Sequence, residues 1–325
     1  MRALVFSGPS SLVVEERPVP VPAAGERRLR VRAVGICGSD LHGYTGENGR
    51  RQFGMIMGHE IAAIDEATDR LVTVHPVLFC GDCTNCLAGR TEACAKRRVI
   101  GVTPELQGGF ADWICVPEQN IVPMDGATAE YAALVEPMAV GLHAVRIGSI
   151  QPGDRVTVIG GGTIGIVCAL AASDLGAEAV IVEPSPHRRA VAAAAGLTAV
   201  EPGSGSQLPV GARSADVAID AVGTTATLDA ALAATRELAT VVLVGMGRPR
   251  IEFDLLALVV SQRRILGTFC YSERDFLDAA AWVRTGSPPL DHLIERRPRF
   301  DGVADVFHRL ALGQDDAVKA LLIVD

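Results

Sequence analysis

The feature that most constrains this chain is a glycine-rich turn, Gly160-Gly-Gly162-Thr-Ile-Gly165, set between a buried strand (155–159) and an Ala-rich helix (164–175). The pattern G-x-G-x-x-G is weak alone, but a preceding strand and a following helix make it specific. Gly160 permits the tight turn, Gly162 lets the backbone approach a pyrophosphate, and Gly165 lets the helix pack on the strand. The helix N-terminus then offers its unpaired N–H groups to the phosphates. Glu183 ends the next strand (179–182), 23 residues after Gly160. An acid there accepts hydrogen bonds from the adenine ribose and repels a 2′-phosphate, favouring NAD over NADP, against the opposite pull of Arg188 and Arg189.

The segments around this turn give the fold class. From Asp154 on, strands alternate with helices: strand 179–182, helix 187–195, strand 217–220, helix 227–235, strands 240–244 and 265–269. Such alternation implies an α/β domain with a doubly wound parallel sheet. Residues 1 to about 122 instead carry short β-like runs (28–34, 71–74, 112–116) broken by Gly and Pro, the pattern of a small β-rich domain. A connecting helix is expected over 128–150, and the apolar 320–324 reads as a strand returning to the first domain. The expected division is 1–125 with 271–325, and 126–270. Gly203-Ser-Gly-Ser206 reads as a surface loop.

Cysteine usage adds metal chemistry. No apolar run is long enough to span a bilayer, and the N-terminus lacks the features of a signal peptide, so the cytoplasm, where thiols stay reduced, is expected. Eight cysteines therefore need a reason other than disulfides. Cys80-x2-Cys83-x2-Cys86-x7-Cys94 suits a closed, tetrahedral structural zinc, with a disulfide pair or an iron–sulfur cluster as the other chemistries. The formal net charge of -8 argues against nucleic acid as a partner, and the arginine pairs (27–28, 50–51, 188–189, 263–264) are scattered.

A second donor set is dispersed: Cys37, His59 with Glu60, and Glu136. A thiolate, an imidazole and a carboxylate around an ion with one open position make a catalytic zinc site. Singly, Cys37 reads equally as a buried small apolar residue, His59 as a core histidine and Glu136 as a helix N-terminal acid. Spacing alone does not choose.

These residues resemble the zinc-containing medium-chain dehydrogenase/reductase family, and within it the polyol dehydrogenases of sorbitol and galactitol-phosphate type. The resemblance spans nearly the whole chain. It rests on Gly35-x-Cys37-Gly-Ser39-Asp40-x-His42, Gly58-His59-Glu60, the four-cysteine loop, the 108–117 segment, the glycine fingerprint, Asp220-Ala-Val-Gly223 and Ile265-Leu-Gly-Thr-Phe269. It implies a GroES-like catalytic domain with a Rossmann coenzyme domain, one catalytic and one structural zinc per chain, and NAD-dependent hydride transfer with a secondary alcohol. The alcohol would be a polyol, cyclitol or sugar derivative. By the same resemblance Cys37, His59 and Glu136 are catalytic-zinc ligands, and Glu60 is a carboxylate that can exchange onto the metal. Ser39 and His42 form the proton relay, while Ile164, Glu183, Arg188, Val244 and Thr268 contact the coenzyme. Homodimers or homotetramers are usual in the family.

Two departures bear on the substrate. The segment between His59 and Cys80 is short, where the family usually has a longer strand pair before a Gly-Asp-Arg-Val turn that survives here only as Thr68-Asp-Arg-Leu71, and Cys270 stands where sorbitol-type enzymes often carry arginine. The competing readings are a zinc-free reductase of the same fold acting on C=C bonds or quinones, and a non-catalytic NAD-binding or zinc scaffold protein. The first lacks the Cys37, His59 and Glu136 set; the second has no need of the Ser39–His42 relay.

Overall fold

The computed structural model describes residues 1–46, 51–203, 214–286 and 288–325. The loop expected at 203–206 lies, beyond Gly203, outside the described residues, as does Arg50. The chain forms two units, Met1–Glu136 with Ser272–Asp325, and Pro137–Tyr271.

In the second unit every strand pair is parallel. Across the sheet the strands run Thr198–Val200, Glu178–Val182, Arg155–Ile159, Ala215–Asp220, Thr235–Leu243 and Arg264–Gly267. Read in chain order within the unit this is 3-2-1-4-5-6, the dinucleotide-binding order. The reason is visible in the residues. Val156, Val158 and Ile159 are all buried, as a strand covered on both faces requires. The helix Thr163–Asp174 is apolar nearly all round, with Gly165 through Ala172 buried, so it can only sit against the sheet. The order reverses between Arg155–Ile159 and Ala215–Asp220, which places a switch point beside the glycine turn.

The first unit holds a seven-stranded mixed sheet and two two-stranded ones, Arg2–Gly8 with Ser11–Glu16 and Val77–Leu78 with Arg98–Val99. The path of the large sheet runs Ile294–Arg296, Lys319–Ile323, Glu26–Gly35, Glu60–Asp65, Arg70–Val74 and Ile121–Pro123, and Trp113–Pro117 pairs with the start of Glu26–Gly35. The terminal strand does return to this unit: Leu321 pairs with Gly35 and Ile323 with Ala33. A core of Leu29, Val31, Val34, Ile61, Phe110, Phe307 and Leu322 lies against it, each such side chain contributing about 1.5–3 kcal/mol on burial. The short segment after His59 is a tight hairpin in which Asp65 pairs with Arg70, and the carboxylate of Asp65 accepts from Thr68 Oγ1 at 2.8 Å.

Two elements differ from expectation. The single helix over 128–150 is instead two, Ala129–Ala133 and Val135–Ile147. Pro137 is the cause: it has no N–H to give the carbonyl of Ala133, so it is tolerated only in the first turn of a new helix. The helix Leu255–Val260 was not anticipated, because LLALVV has no polar residue to mark a periodicity. No helix among the described residues is long and apolar enough to cross a membrane.

Candidate metal centres and coenzyme turn

Cys80, Cys83, Cys86 and Cys94 come together although no disulfide joins them. Their sulfurs lie 3.9 Å (Cys80–Cys86), 3.5 Å (Cys83–Cys86) and 3.5 Å (Cys94–Cys80) apart. A tetrahedron with Zn–S bonds of about 2.3 Å has edges of about 3.8 Å, so the spacing fits a zinc and excludes S–S bonds at about 2.05 Å. Within the loop the thiols are shifted in opposite directions: backbone N–H donation from Cys86 pulls Cys83 down to about 6, while the hydrogen bond with Asp82 pushes Cys80 up to about 12.

The dispersed donors assemble as well. Cys37 caps the helix Gly38–Tyr44, which carries Ser39, Asp40 and His42. Ligand atoms of Cys37, His59 and Glu60 lie within 4.8 Å of one another. Glu136, in the first turn of Val135–Ile147, is buried but is not in that trio; its charge acts on Lys319. Ser39 Oγ sits 3.4 Å from His59 Nε2, and the exposed His42 follows three residues on along the same helix.

Two buried cations and one buried acid, none of them assigned a role from the sequence, complete the cluster. Lys319 Nζ donates to both Glu60 carboxylate oxygens at 2.8 Å and to the Ile36 carbonyl at 3.2 Å. Gly35 makes this possible, since a Cβ there would fall 1.6 Å from Glu60 Oε2. On the other side Asp40, 0% exposed, lies 3.3 Å from Arg51 Nη2 and 3.5 Å from His59 Nδ1. Burial pushes the Asp40 carboxyl up, but His59, Arg51 and the Cys37 N–H together hold it below the ordinary carboxylate range. Burial likewise lowers His59, and the charges of Asp40 and Cys37 more than offset it, leaving the imidazole well above its usual value. The pattern Gly35-x-Cys37-Gly-Ser39-Asp40 contained the signal for Asp40. A lone lysine in an apolar strand was the signal for Lys319.

The donor set fits a divalent cation. Cys37, His59 and Glu60 present a thiol sulfur, an imidazole nitrogen and a carboxylate oxygen all within 4.8 Å of one another, close enough to share one ion. His59 Nδ1 is buried with no hydrogen bond, its 3.5 Å separation from Asp40 being too long for one. Thiolate, imidazole and carboxylate are zinc ligands, and three of them leave a position open.

In the other unit, the turn Gly160–Gly165 packs as the spacing requires: a Cβ on Gly165 would lie 1.8 Å from the Gly160 carbonyl oxygen. Gly162 is the N-cap of Thr163–Asp174 and brings no side chain to its N–H groups, and Ile164 is half-buried in that first turn. The buried Glu183 carboxylate accepts from Gly161 N at 2.6 Å and Ser185 N at 2.8 Å, with lone pairs left for two ribose hydroxyls. Arg188 follows in the first turn of Pro186–Ala194, whose N-cap Ser185 accepts from its N–H. Val244 and Thr268 lie just past the carboxyl ends of their strands, on the same sheet edge as Gly160, and the buried Thr268 Oγ1 has no hydrogen-bond partner. A dinucleotide fits this cradle.

Comparison with known proteins agrees with both units. Residues 23–126 match the alcohol dehydrogenase GroES-like domain, and residues 163–285 match zinc-binding dehydrogenase. L-galactonate-5-dehydrogenase of Escherichia coli (strain K12) is 31% identical over 99% of this chain and 98% of its own, and sorbitol dehydrogenase of Bacillus subtilis (strain 168) is 29% identical over 99% and 97%. A protein assigned as a zinc-binding dehydrogenase from Sinorhizobium meliloti 1021, solved bound to NADP, superposes with a TM-score of 0.90 at 28% identity, covering 99% of each chain.

Proposed function

Because the chain belongs to the zinc-containing medium-chain dehydrogenase/reductase family, we propose that it transfers a hydride between a secondary alcohol of a polyol, cyclitol or sugar derivative and NAD. The observation that carries this reading is the meeting of Cys37, His59 and Glu60 within 4.8 Å, beside the hydroxyl of Ser39. A reductase without catalytic zinc has no use for such a set. Cys37 and His59 would hold the catalytic zinc with a carboxylate, Glu136 by family resemblance, and Glu60 is held ready by Lys319. Cys80, Cys83, Cys86 and Cys94 would hold the structural one. When bound, zinc supplies Lewis-acid polarisation of the substrate oxygen, and NAD supplies the hydride acceptor.

The chain's own residues do the rest. Ser39 Oγ would accept the hydroxyl proton while passing its own on toward His42, which, exposed on the same helix, would release it to water. Glu183 takes the adenine ribose and disfavours a 2′-phosphate, which selects NAD even though the Sinorhizobium protein carries NADP. Sugar acids join the candidates through the L-galactonate relative. Cys270 puts no cation where sorbitol-type enzymes often place one, which weighs against a simple hexitol. The reduced thiols suit the cytoplasm.

We further propose a homo-oligomer. Leu255, Leu256, Val259 and Val260 are 63%, 73%, 61% and 72% exposed, next to the sheet's edge strand Arg264–Gly267. A second copy of the chain covers such a patch, and a monomeric mass by light scattering would contradict this.

The test of function is NAD reduction over a panel of polyols, cyclitols, sugar acids and their phosphates, with metal content measured on the same sample. Turnover with two zinc ions per chain is expected from the two donor groups. A single zinc, or binding of NAD with no turnover on any member, would contradict it.

A further inference from the structure

Arginine is among the residues least often buried, and a buried guanidinium has to be matched by acceptors. Arg51 is such a case: its side chain is 2% exposed and its partner Asp40 0%. Its contacts converge on the candidate zinc site from behind. Nη2 donates to Asp40 Oδ1 at 3.3 Å and lies 3.4 Å from the Ser39 carbonyl oxygen. Nη1 donates to the Val102 carbonyl at 3.0 Å, and Nε approaches Met57 Sδ at 3.2 Å. One planar fork thus ties together the helix bearing Ser39, the segment leading into His59, and the 102 loop. The helix makes room for it at Gly43, where a Cβ would fall 2.6 Å from Arg51 Nε.

We infer that Arg51 is a positioning residue for the reaction site, acting on it through Asp40. The Asp40 oxygen that Arg51 holds is the one 3.5 Å from His59 Nδ1, and the other accepts from the Cys37 N–H at 3.3 Å. Asp40 therefore addresses both the proposed imidazole ligand and the backbone of the proposed thiolate ligand, and Arg51 fixes where Asp40 stands. Without the guanidinium, Asp40 loses the donor that fixes its Oδ1 and is free to reorient, and the oxygen facing His59 Nδ1 moves with it. The contact with the Ser39 carbonyl extends the same restraint to the proton acceptor. Arg51 touches no substrate or coenzyme in this role. A lysine could supply the charge but not the fork that reaches three acceptors at once.

The inference rests on the zinc-site reading above, and its test separates the two. Wild type, Arg51→Met, Arg51→Lys, Asp40→Asn and the Arg51→Met/Asp40→Asn double variant are loaded with zinc alone. Release to a chromogenic chelator is timed, and thermal melting is recorded on the same samples. In Arg51→Met one zinc is expected to leave about 10–100-fold faster, the usual scale for lost outer-sphere support, while the four-cysteine zinc keeps its wild-type rate. Arg51→Lys falls between. On the Asp40→Asn background the Arg51 change adds nothing, because residues acting through one another are not additive. Wild-type release from Arg51→Met, or equal acceleration at both zincs with a collapsed melting point, overturns the inference. Should Arg51→Met fail to fold, Arg51→Lys carries the same comparison, and wild-type release from it overturns the inference too. A wild-type protein holding one zinc overturns the site reading and this inference with it.

Discussion

The two metal-binding regions of this protein are built on opposite plans. The four-cysteine loop draws its donors from fifteen consecutive residues, Cys80 to Cys94, and shapes them with local turns and the short helix Thr84–Leu87. The other region draws on Cys37, Asp40, Arg51, His59, Glu60, Glu136 and Lys319, which come from helices, a loop and strands distant in the chain: Lys319 and Glu60, for example, sit on the strands Lys319–Ile323 and Glu60–Asp65, which flank Glu26–Gly35. The loop has donors and little else. The dispersed site has donors embedded in buried ion pairs, with Lys319 on one carboxylate and Arg51 on the other. A closed structural site needs only its ligands, whereas a site that must keep a position open needs its surroundings to hold the ligands still.

That contrast can be broken by substitution. The largest effect is expected from Cys37→Ser, which removes a ligand of the open site. Turnover should fall by roughly a thousandfold or more, several kcal/mol at about 1.4 kcal/mol per tenfold, while NAD binding stays intact. Retained activity would take Cys37 out of the metal site. Next comes Lys319→Met, which leaves the Glu60 charge buried and unpaired. Denaturant titration should show a loss of about 3–5 kcal/mol, largely recovered by adding Glu60→Gln. An unrecovered double variant would mean that Lys319 matters for packing rather than for pairing. The smallest effect is expected from Glu183→Ala, which removes a charged acceptor at the coenzyme turn. NAD affinity should weaken by about 1.5–3 kcal/mol in calorimetry and the preference over NADP should narrow. An unchanged ratio would remove Glu183 from the ribose.

The same contrast explains what could be read before the structure. The parallel sheet was legible because short apolar strand runs alternate with helical segments along the chain, and the cysteine loop because its spacing is local. The turn at Gly160 was legible because each glycine there answers a steric need, as the 1.8 Å approach at Gly165 shows. Arg51 and Lys319 were not legible: one sits in a loop without a pattern and the other 259 residues from Glu60, and burial, which gives both their meaning, is a tertiary property. The break at Leu134 was missed because the apolar run on both sides of Pro137 continues without a gap in spacing, although proline itself marks a new first turn. The helix Leu255–Val260 was missed for a related reason, since an all-apolar segment carries no periodic signal.

The central claim is that Cys37 and His59 share one ion distinct from the ion of the cysteine loop. Anomalous diffraction at the zinc absorption edge, on crystals of the protein as purified, tests it most directly. The account predicts two peaks, one inside the four sulfurs and one bonded to Cys37 Sγ and a ring nitrogen of His59 with a carboxylate completing three protein ligands. A single peak in the loop, with Cys37 and His59 facing water after zinc is added, would contradict it.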